Sequence, residues 1–241
     1  LIKIEMKKKT CVVIPCYNVR HRISKVLSNR YLSNIDKIIL VDDKCPQNTG
    51  LFLKKKLKSN KYKVLINKKN LGVGGATITG FRYALRKRFE VIIKMDGDGQ
   101  HNIKILKRFL EGFKQNKFDF CKGFRSLENK SKTKNKMPYV RFWGAKVLEF
   151  LVRLNSGNWK IKDPCHGLIA FNDQLLRKID LKKIKKNYFF EQDIILNVVR
   201  YKGRIKQFEN RVNYGGESSS LNPFMQIIPC LFYHLNYFLK N

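Results

Sequence analysis

The sequence predicts an α/β fold built on a doubly wound, mostly parallel sheet, and three observations lead to that prediction. Short apolar runs alternate with longer helix-like segments along the first half of the chain, which is the pattern of β-α-β units. Polar, turn-forming residues follow three of these runs, where sheets of this kind bind ligands. The chain has 241 residues, of which 43% are hydrophobic, so it can bury a substantial core.

Each element is assigned from its own local pattern. Short and mostly apolar runs predict strands at Lys9–Cys16, Ile35–Val41, Tyr62–Ile66, Glu90–Met95, Phe118–Cys121 and Gly167–Phe171. Longer segments between them predict helices at Arg20–Asn29, Gln47–Lys58, Gly72 to about Arg88, Asn102–Lys114, Val140–Leu154 and Phe190–Tyr201. Glu128–Lys136 is predicted as a basic loop, and the alternation weakens after it.

The chain is predicted to divide into one α/β domain over residues 1–222 and an apolar tail over residues 223–241. Ile227–Leu239 in the tail is apolar and aromatic but too short to span a bilayer. Three interpretations stay open: a helix lying at a lipid interface, the start of a membrane segment, or a terminal helix packed on the domain.

The charge and the cysteine content limit the partners and the cellular compartment that the sequence is compatible with. Lys and Arg number 51 against 18 Asp and Glu, a net charge of +33, which favours an anionic partner but is also compatible with a solvated basic surface. The lysines are scattered and the acids cluster at strand ends, so no nucleic-acid partner is expected. The six cysteines lack C-x-x-C and zinc spacings, which indicates a reducing compartment. The first residues lack an apolar signal core, so no secretion is expected.

The candidate site is the set of polar residues at the ends of the predicted strands. These residues are Pro15, Tyr17 and Asn18 after the first strand, Asp42 and Asp43 after the second, and Asp96 and Asp98 after the fourth. Carboxylates at the end of a buried strand need a neutralising partner. Mg²⁺ or Mn²⁺ suits them, because these cations prefer oxygen ligands and keep phosphate oxygens in their shell. The pattern predicts a metal that bridges to a diphosphate.

Two common nucleotide-binding loops are excluded. A G-x-G-x-x-G frame opened at Gly72 has Thr77 in place of its third glycine, and it follows the third strand instead of the first. No P-loop sequence is present in the chain.

Four segments in order resemble family 2 glycosyltransferases of the GT-A fold: IPCYN (Ile14–Asn18), VDD (Val41–Asp43), NLGVGGA (Asn70–Ala76) and MDGDGQH (Met95–His101). The last is similar to the dolichol-phosphate mannosyltransferase-like branch, which includes bacterial polyprenyl-phosphate glycosyltransferases. The resemblance covers roughly residues 9–215 by motif order. Its later, looser segments are GFR (Gly123–Arg125), DPCHG (Asp163–Gly167), FFEQD (Phe189–Asp193) and YGGESSSLNP (Tyr214–Pro223).

The resemblance implies a role for each matching residue. The implied nucleotide-sugar-binding residues are Pro15, Tyr17, Asn18, Asp42, Asp43, Asn70, Gly72, Asp96 and Gln100. Asp96 and Asp98 are the implied metal ligands, and Arg125 is implied to meet phosphate charge. Asp193 is the candidate general base with Glu191 as the alternate, although acids are also favoured at a helix N-terminus for structural reasons.

The implied activity is inverting, metal-dependent sugar transfer from a UDP- or GDP-sugar to a polyprenyl phosphate. The enzyme is expected to be cytoplasmic and peripheral, on an anionic surface at the inner face of the cytoplasmic membrane. One alternative is transfer to a sugar hydroxyl of a lipid-linked or polysaccharide glycan. An alternative of another class is a nucleic-acid or anionic-membrane binding module.

Overall fold

A computed structural model describes residues 8–125, 139–210 and 223–240. The strands are β1 (Thr10–Cys16), β2 (Lys37–Asp42), β3 (Tyr62–Ile66), β4 (Val91–Lys94), β5 (Phe120–Phe124), β6 (Ile169–Asn172) and β7 (Ile205–Glu209). The α-helices are α1 (Arg20–Leu27), α2 (Thr49–Lys56), α3 (Gly72–Arg86), α4 (Leu106–Lys114), α5 (Tyr139–Ser156), α6 (Asp173–Lys178), α7 (Phe190–Arg200) and α8 (Pro223–Lys240). The predicted basic loop Glu128–Lys136 and residues 214–222 of the last motif lie outside the described residues.

In the described residues the strands form one seven-stranded sheet in the order β3-β2-β1-β4-β6-β5-β7. The neighbours from β3 to β4 are parallel, and β5 is parallel to β7, whereas β6 runs antiparallel to both β4 and β5. The predicted mostly parallel α/β sheet is therefore confirmed. The strand predicted at Gly167–Phe171 is found as β6, but its reversed direction was not predicted, and neither was the edge strand β7.

The sheet is covered on both faces because its central strands are apolar on both sides. Val13 of β1 packs into one core layer with Phe81 of α3 and Phe190 of α7. Ile14, the next residue of β1, packs into the opposite layer with Phe109 of α4. Alternate residues of a strand point to opposite faces, so a continuous apolar run such as that of β1 is what a doubly covered strand requires.

Polar contacts join α8 to α5 and α7. Asn155 of α5 lies 2.8 Å from Nδ1 of His234, and Nε2 of the same imidazole lies 2.9 Å from the Gln192 side chain. The Tyr233 hydroxyl donates to Asp193 Oδ1 at 2.8 Å. Two neighbouring residues of α8 thus reach the first turn of α7. Within the described part of the chain, every helix falls short of the length and apolar content that crossing a membrane requires.

Candidate active site

The parallel register places the candidate residues at one edge of the sheet. Cys16 at the end of β1 pairs with Asp42 at the end of β2, and Val13 pairs with Lys94 at the end of β4. The residues that follow these strands therefore emerge side by side, as expected for the carboxyl edge of a parallel sheet.

The loop after β4 packs directly against the end of β1. A Cβ at Gly97 would stand 3.3 Å from the Pro15 carbonyl oxygen, so a small residue is needed between the two aspartates. Asp98 accepts the backbone N–H of Gln100 at 2.9 Å, which closes a tight turn. Tyr17 is exposed beside this loop. The structure thus brings together the predicted residues of the first and fourth strand ends.

Asp96 lies in a network that also contains a buried lysine. Its Oδ1 is 2.7 Å from Lys94 Nζ, and its Oδ2 is 3.0 Å from His101 Nε2. Lys94 Nζ is also 2.8 Å from Glu191 Oε1. Burial alone would raise the pKa of Asp96, but the contacts with Lys94 and His101 have the larger effect and hold this pKa well below its usual range. Gly167 makes this packing feasible, because a Cβ there would stand 2.9 Å from Lys94 Nζ.

Two histidines stack beside this network. The rings of His101 and His166 have centroids 4.9 Å apart, and His166 Nδ1 accepts the N–H of Leu168 at 3.2 Å. Burial is the main cause, and the neighbouring His101 the second, that lowers the pKa of His166 well below its ordinary value. His101 Nδ1 and His166 Nε2 are buried and have no hydrogen-bond partner among the described residues. Neither Lys94 nor the two histidines are among the site residues predicted from the sequence. A lysine that interrupts the apolar run of β4 is the signal that could have indicated a buried, paired charge.

Asp42 and Asp43 are both buried, and both accept hydrogen bonds from other residues of the chain. Asp42 accepts backbone N–H groups from Cys45, at 2.7 Å, and from Gly50. Asp43 accepts from the Asn67 side chain at 2.7 Å. The bonds of Asp42 hold the loop after β2 and the start of α2, and that of Asp43 holds the segment that follows β3. The predicted contact of either acid with the nucleotide stays a prediction.

The glycine-rich first turn of α3 packs against the chain near Lys186. Gly72 donates its N–H to Asn70 Oδ1 at 2.9 Å, and Gly74 donates to the Lys186 carbonyl oxygen at 3.0 Å. Gly72 has φ of 77°, and a Cβ there would stand 2.7 Å from the same carbonyl oxygen. These contacts fix the first turn of α3 against the chain at Lys186, and the predicted contact of Asn70 and Gly72 with the nucleotide sugar stays a prediction.

Arg125 at the end of β5 is held by Asp163. Its Nε and Nη2 donate to the two carboxylate oxygens, each at 2.7 Å, a bidentate pair. Burial opposes ionisation of Asp163, but Arg125 keeps the pKa of that carboxyl well below its usual range. Lys122 is buried next to this pair and donates to three backbone carbonyl oxygens, among them that of Asp163 at 2.8 Å. Its burial lowers the pKa of Lys122 to about 8.

The two acids of the FFEQD motif lie in different environments. Glu191 reaches the candidate site through Lys94. Asp193 accepts from the Lys185 backbone N–H and from the Tyr233 hydroxyl, each at 2.8 Å. The structure therefore does not bring Asp193, the preferred base, into the network of Asp96, and the alternate Glu191 is the acid that lies there.

The tip of β4 fits a hard cation that arrives with a phosphate ligand. The stretches that the structure describes contain no group of three or more His, Cys, Asp or Glu side chains able to hold a metal ion. Mg²⁺ and Mn²⁺ sites of nucleotide enzymes need fewer, because one or two carboxylates suffice when substrate phosphates complete the shell. Asp96 and Asp98 supply such a donor set, with all oxygen ligands.

An α/β sheet with a D-x-D turn at its carboxyl edge is typical of glycosyltransferases, and the comparisons confirm this class. Glycosyl transferase family 2 matches residues 11–180. The chain belongs to that family and is a glycosyltransferase.

Named relatives place the chain in the expected branch of the family. It is 28% identical over 190 residues to the UDP-N-acetylglucosamine–dolichyl-phosphate N-acetylglucosaminyltransferase of Methanococcus voltae, covering 73% of this chain and 74% of the relative. It is 28% identical over 191 residues to the polyprenol monophosphomannose synthase of Mycolicibacterium smegmatis, covering 78% and 71%. The resemblance to the dolichol- and polyprenyl-phosphate branch is therefore confirmed.

A solved structure supports the fold. Glucosyl-3-phosphoglycerate synthase from Mycobacterium tuberculosis, crystallised with Mn²⁺ and UDP-glucose, superposes with a TM-score of 0.69 at 14% identity, covering 94% of this chain and 79% of that one. The expected GT-A fold is confirmed.

Proposed function

We propose that this chain transfers a sugar, with inversion and with a divalent cation, from a nucleotide sugar to a polyprenyl phosphate at the inner face of the cytoplasmic membrane. The observation that carries the proposal is that Asp96 and Asp98 after β4 and Arg125 after β5 lie at the same edge of the sheet, because both strands run antiparallel to β6 between them. Both M. voltae and M. smegmatis relatives are named for polyprenyl-type acceptors, which supports this acceptor class.

The residues of the chain divide the work of donor binding. Asp96 and Asp98 would hold Mg²⁺ or Mn²⁺, which supplies Lewis-acid stabilisation of the charge that grows on the leaving diphosphate. Pro15, Tyr17 and Asn18 would line the nucleotide pocket. Asn18 is held there in a left-handed conformation, with φ of 56° and its N–H 3.2 Å from Cys45 Sγ.

Arg125 would meet phosphate charge of the donor or the acceptor. Its guanidinium is already fixed by the bidentate contact with Asp163, so it needs little reorganisation when the anion arrives. A polyprenyl phosphate arrives as an anion and attacks the anomeric carbon from the face opposite to the leaving group, without a base.

A sugar hydroxyl acceptor is the second candidate, and it requires a base. Glu191 is the acid that the geometry favours for that role, because it lies in the same network as Asp96. Its carboxylate is already engaged by the Lys94 ammonium at 2.8 Å, so a hydroxyl acceptor would have to share it with that contact. The lipid phosphate acceptor therefore remains the first candidate.

Two exposed apolar stripes on the helices favour a lipid surface as a partner. The stripes consist of large apolar side chains that are between 44 and 72% exposed: Trp143, Val147, Phe150 and Leu154 on α5, and Leu231, Phe232, Leu235, Phe238 and Leu239 on α8. Each set recurs at helical spacing along one face. Exposed apolar area of this extent marks an interaction site, and the excess of basic residues suits an anionic bilayer.

The donor and acceptor are tested by counting nucleoside diphosphate release from a panel of UDP- and GDP-sugars, with and without a polyprenyl phosphate. We expect release to require the lipid phosphate and Mg²⁺ or Mn²⁺, and Asp98→Asn to lower it about 100-fold or more. Asp180→Asn, which removes a half-exposed carboxylate on the surface, is the matched control. Full turnover by Asp98→Asn contradicts the proposal. Salt-sensitive nucleic-acid binding, with no response to any nucleotide sugar, favours the binding-module alternative.

The membrane surface is tested by flotation with vesicles that contain anionic lipid. The double variant Phe232→Ser/Leu235→Ser is expected to weaken association about tenfold or more, because each lost side chain removes apolar area from the interface. Leu51→Ser, at an equally exposed leucine on α2, is the control. Equal flotation of all three proteins excludes α8 as the docking face.

A further inference from the structure

Lys94 is a fully buried lysine between two acids from distant parts of the chain. Its side chain is 1% exposed, and its Nζ lies 2.7 Å from Asp96 and 2.8 Å from Glu191. A buried ammonium is tolerated only when carboxylates and hydrogen bonds compensate it. Here one ammonium is shared by two carboxylates that lie far apart along the chain.

The geometry around this cluster is tight. Glu191 lies in the first turn of α7, and the next residue, Gln192, bonds to His234 of α8. Gly167 packs its Cα against Lys94 Nζ and the Asp96 carboxyl group, where a Cβ has no room. The ammonium is therefore held at one place, directly behind the turn that carries Asp96 and Asp98.

We propose that Lys94 is a positioning residue of the transfer reaction, which holds Asp96 in place and suppresses binding of a divalent cation until a nucleoside diphosphate is present. The inference rests on the proposed function, because it concerns the same cation. An ammonium in contact with Asp96 compensates the charge of that carboxylate and repels an incoming dication. A diphosphate brings its own negative charge and its own oxygen ligands, which restores the attraction.

The second fully buried lysine of the described core provides a matched control. Lys122 is also 1% exposed, but its Nζ donates to the backbone carbonyl oxygens of Gly123, Lys162 and Asp163. Replacing Lys122 removes a buried ammonium without releasing Asp96.

The test measures Mn²⁺ binding by the loss of the free Mn²⁺ paramagnetic resonance signal, first without nucleotide and then with UDP or GDP. Lys94→Met is expected to bind Mn²⁺ alone at least tenfold more tightly than the unchanged protein. Lys122→Met and Glu191→Gln, which leave the ammonium on Asp96, are expected to show no such gain. Lys94→Met leaves Asp96 and Glu191 without their ammonium partner. The double variant Lys94→Met/Glu191→Gln is therefore measured as well, and we expect the same gain from it.

A purely structural role of Lys94 predicts a lower melting temperature with unchanged affinity for Mn²⁺ alone. Unchanged affinity in both Lys94 variants overturns the inference, and so does an equal gain in Lys122→Met. These outcomes are independent of the transfer assay. An unchanged protein that binds Mn²⁺ with a nucleotide but transfers no sugar refutes the proposed acceptor and leaves the role of Lys94 standing.

Discussion

Replacing Gly167 with alanine tests the site geometry most directly. A Cβ at this position would stand 2.7 Å from Asp96 Cγ and 2.9 Å from Lys94 Nζ, whereas ordinary contact begins at 3.4 Å. Asp96 Oδ2 would be nearer still, so the carboxyl group must retreat by at least about 0.7 Å, and by more at that oxygen, or the backbone must shift by a similar amount. Overpacking of this kind typically lowers the free energy of unfolding by about 1–3 kcal/mol.

The functional effect is expected to exceed the loss of stability. Asp96 is held by Lys94 at 2.7 Å and by His101 at 3.0 Å, and a retreat of this size breaks at least one of these contacts. Misplacing a reacting or positioning group by about 1 Å can lower turnover about 100-fold. We expect Gly167→Ala to lose most nucleoside diphosphate release at temperatures well below its melting temperature, while circular dichroism shows an intact fold.

Gly144→Ala provides the control, because Gly144 lies within α5 and a Cβ there would meet nothing within 4 Å. Alanine is the better helix former by about 0.5–1 kcal/mol, so this variant is expected to keep full activity and to melt slightly higher. If Gly167→Ala releases diphosphate as fast as the unchanged protein, the close approach of Gly167 to Asp96 is not what positions the carboxylate.

Two further predictions concern stability. Burial lowers the pKa of His234 to about 4, whereas the same side chain in the unfolded chain takes up a proton near pH 6.5. The free energy of unfolding therefore keeps its full value above pH 6.5 and falls as the pH drops toward 4, by up to about 3 kcal/mol. Urea unfolding between pH 7 and 4 measures this loss, and His234→Gln is expected to flatten the curve; an equally steep curve in that variant assigns the loss to other groups. Asp42→Asn is expected to lower the free energy of unfolding by about 1–3 kcal/mol, because a buried backbone N–H loses its acceptor. Unchanged urea unfolding of Asp42→Asn, relative to Asp180→Asn, shows that its contacts with Cys45 and Gly50 do not stabilise the fold.

Local pattern explains why the strands and helices up to α4 could be predicted. The run from Thr10 to Cys16 is buried at every position, and a continuous apolar run carries that information without reference to the rest of the chain. The same kind of pattern predicted a strand at Gly167–Phe171, which is β6, but it could not predict that β6 runs in the reverse direction, because an apolar run has no direction. The edge strand β7 alternates weakly between half-buried and exposed residues, so its pattern is diluted.

The sequence by itself determined the family, the alternation of strands and helices in the first half of the chain and the D-x-D turn, because these follow from contiguous motifs and from the rule that parallel strands end at one edge. Only the tertiary structure decided which acid of FFEQD faces the site. Glu191 and Asp193 are two positions apart, about 200° around the helix, so they face opposite sides. Lys94 and Glu191 lie 97 positions apart, and no local pattern pairs such distant charges; their contact arises when α7 packs against the end of β4.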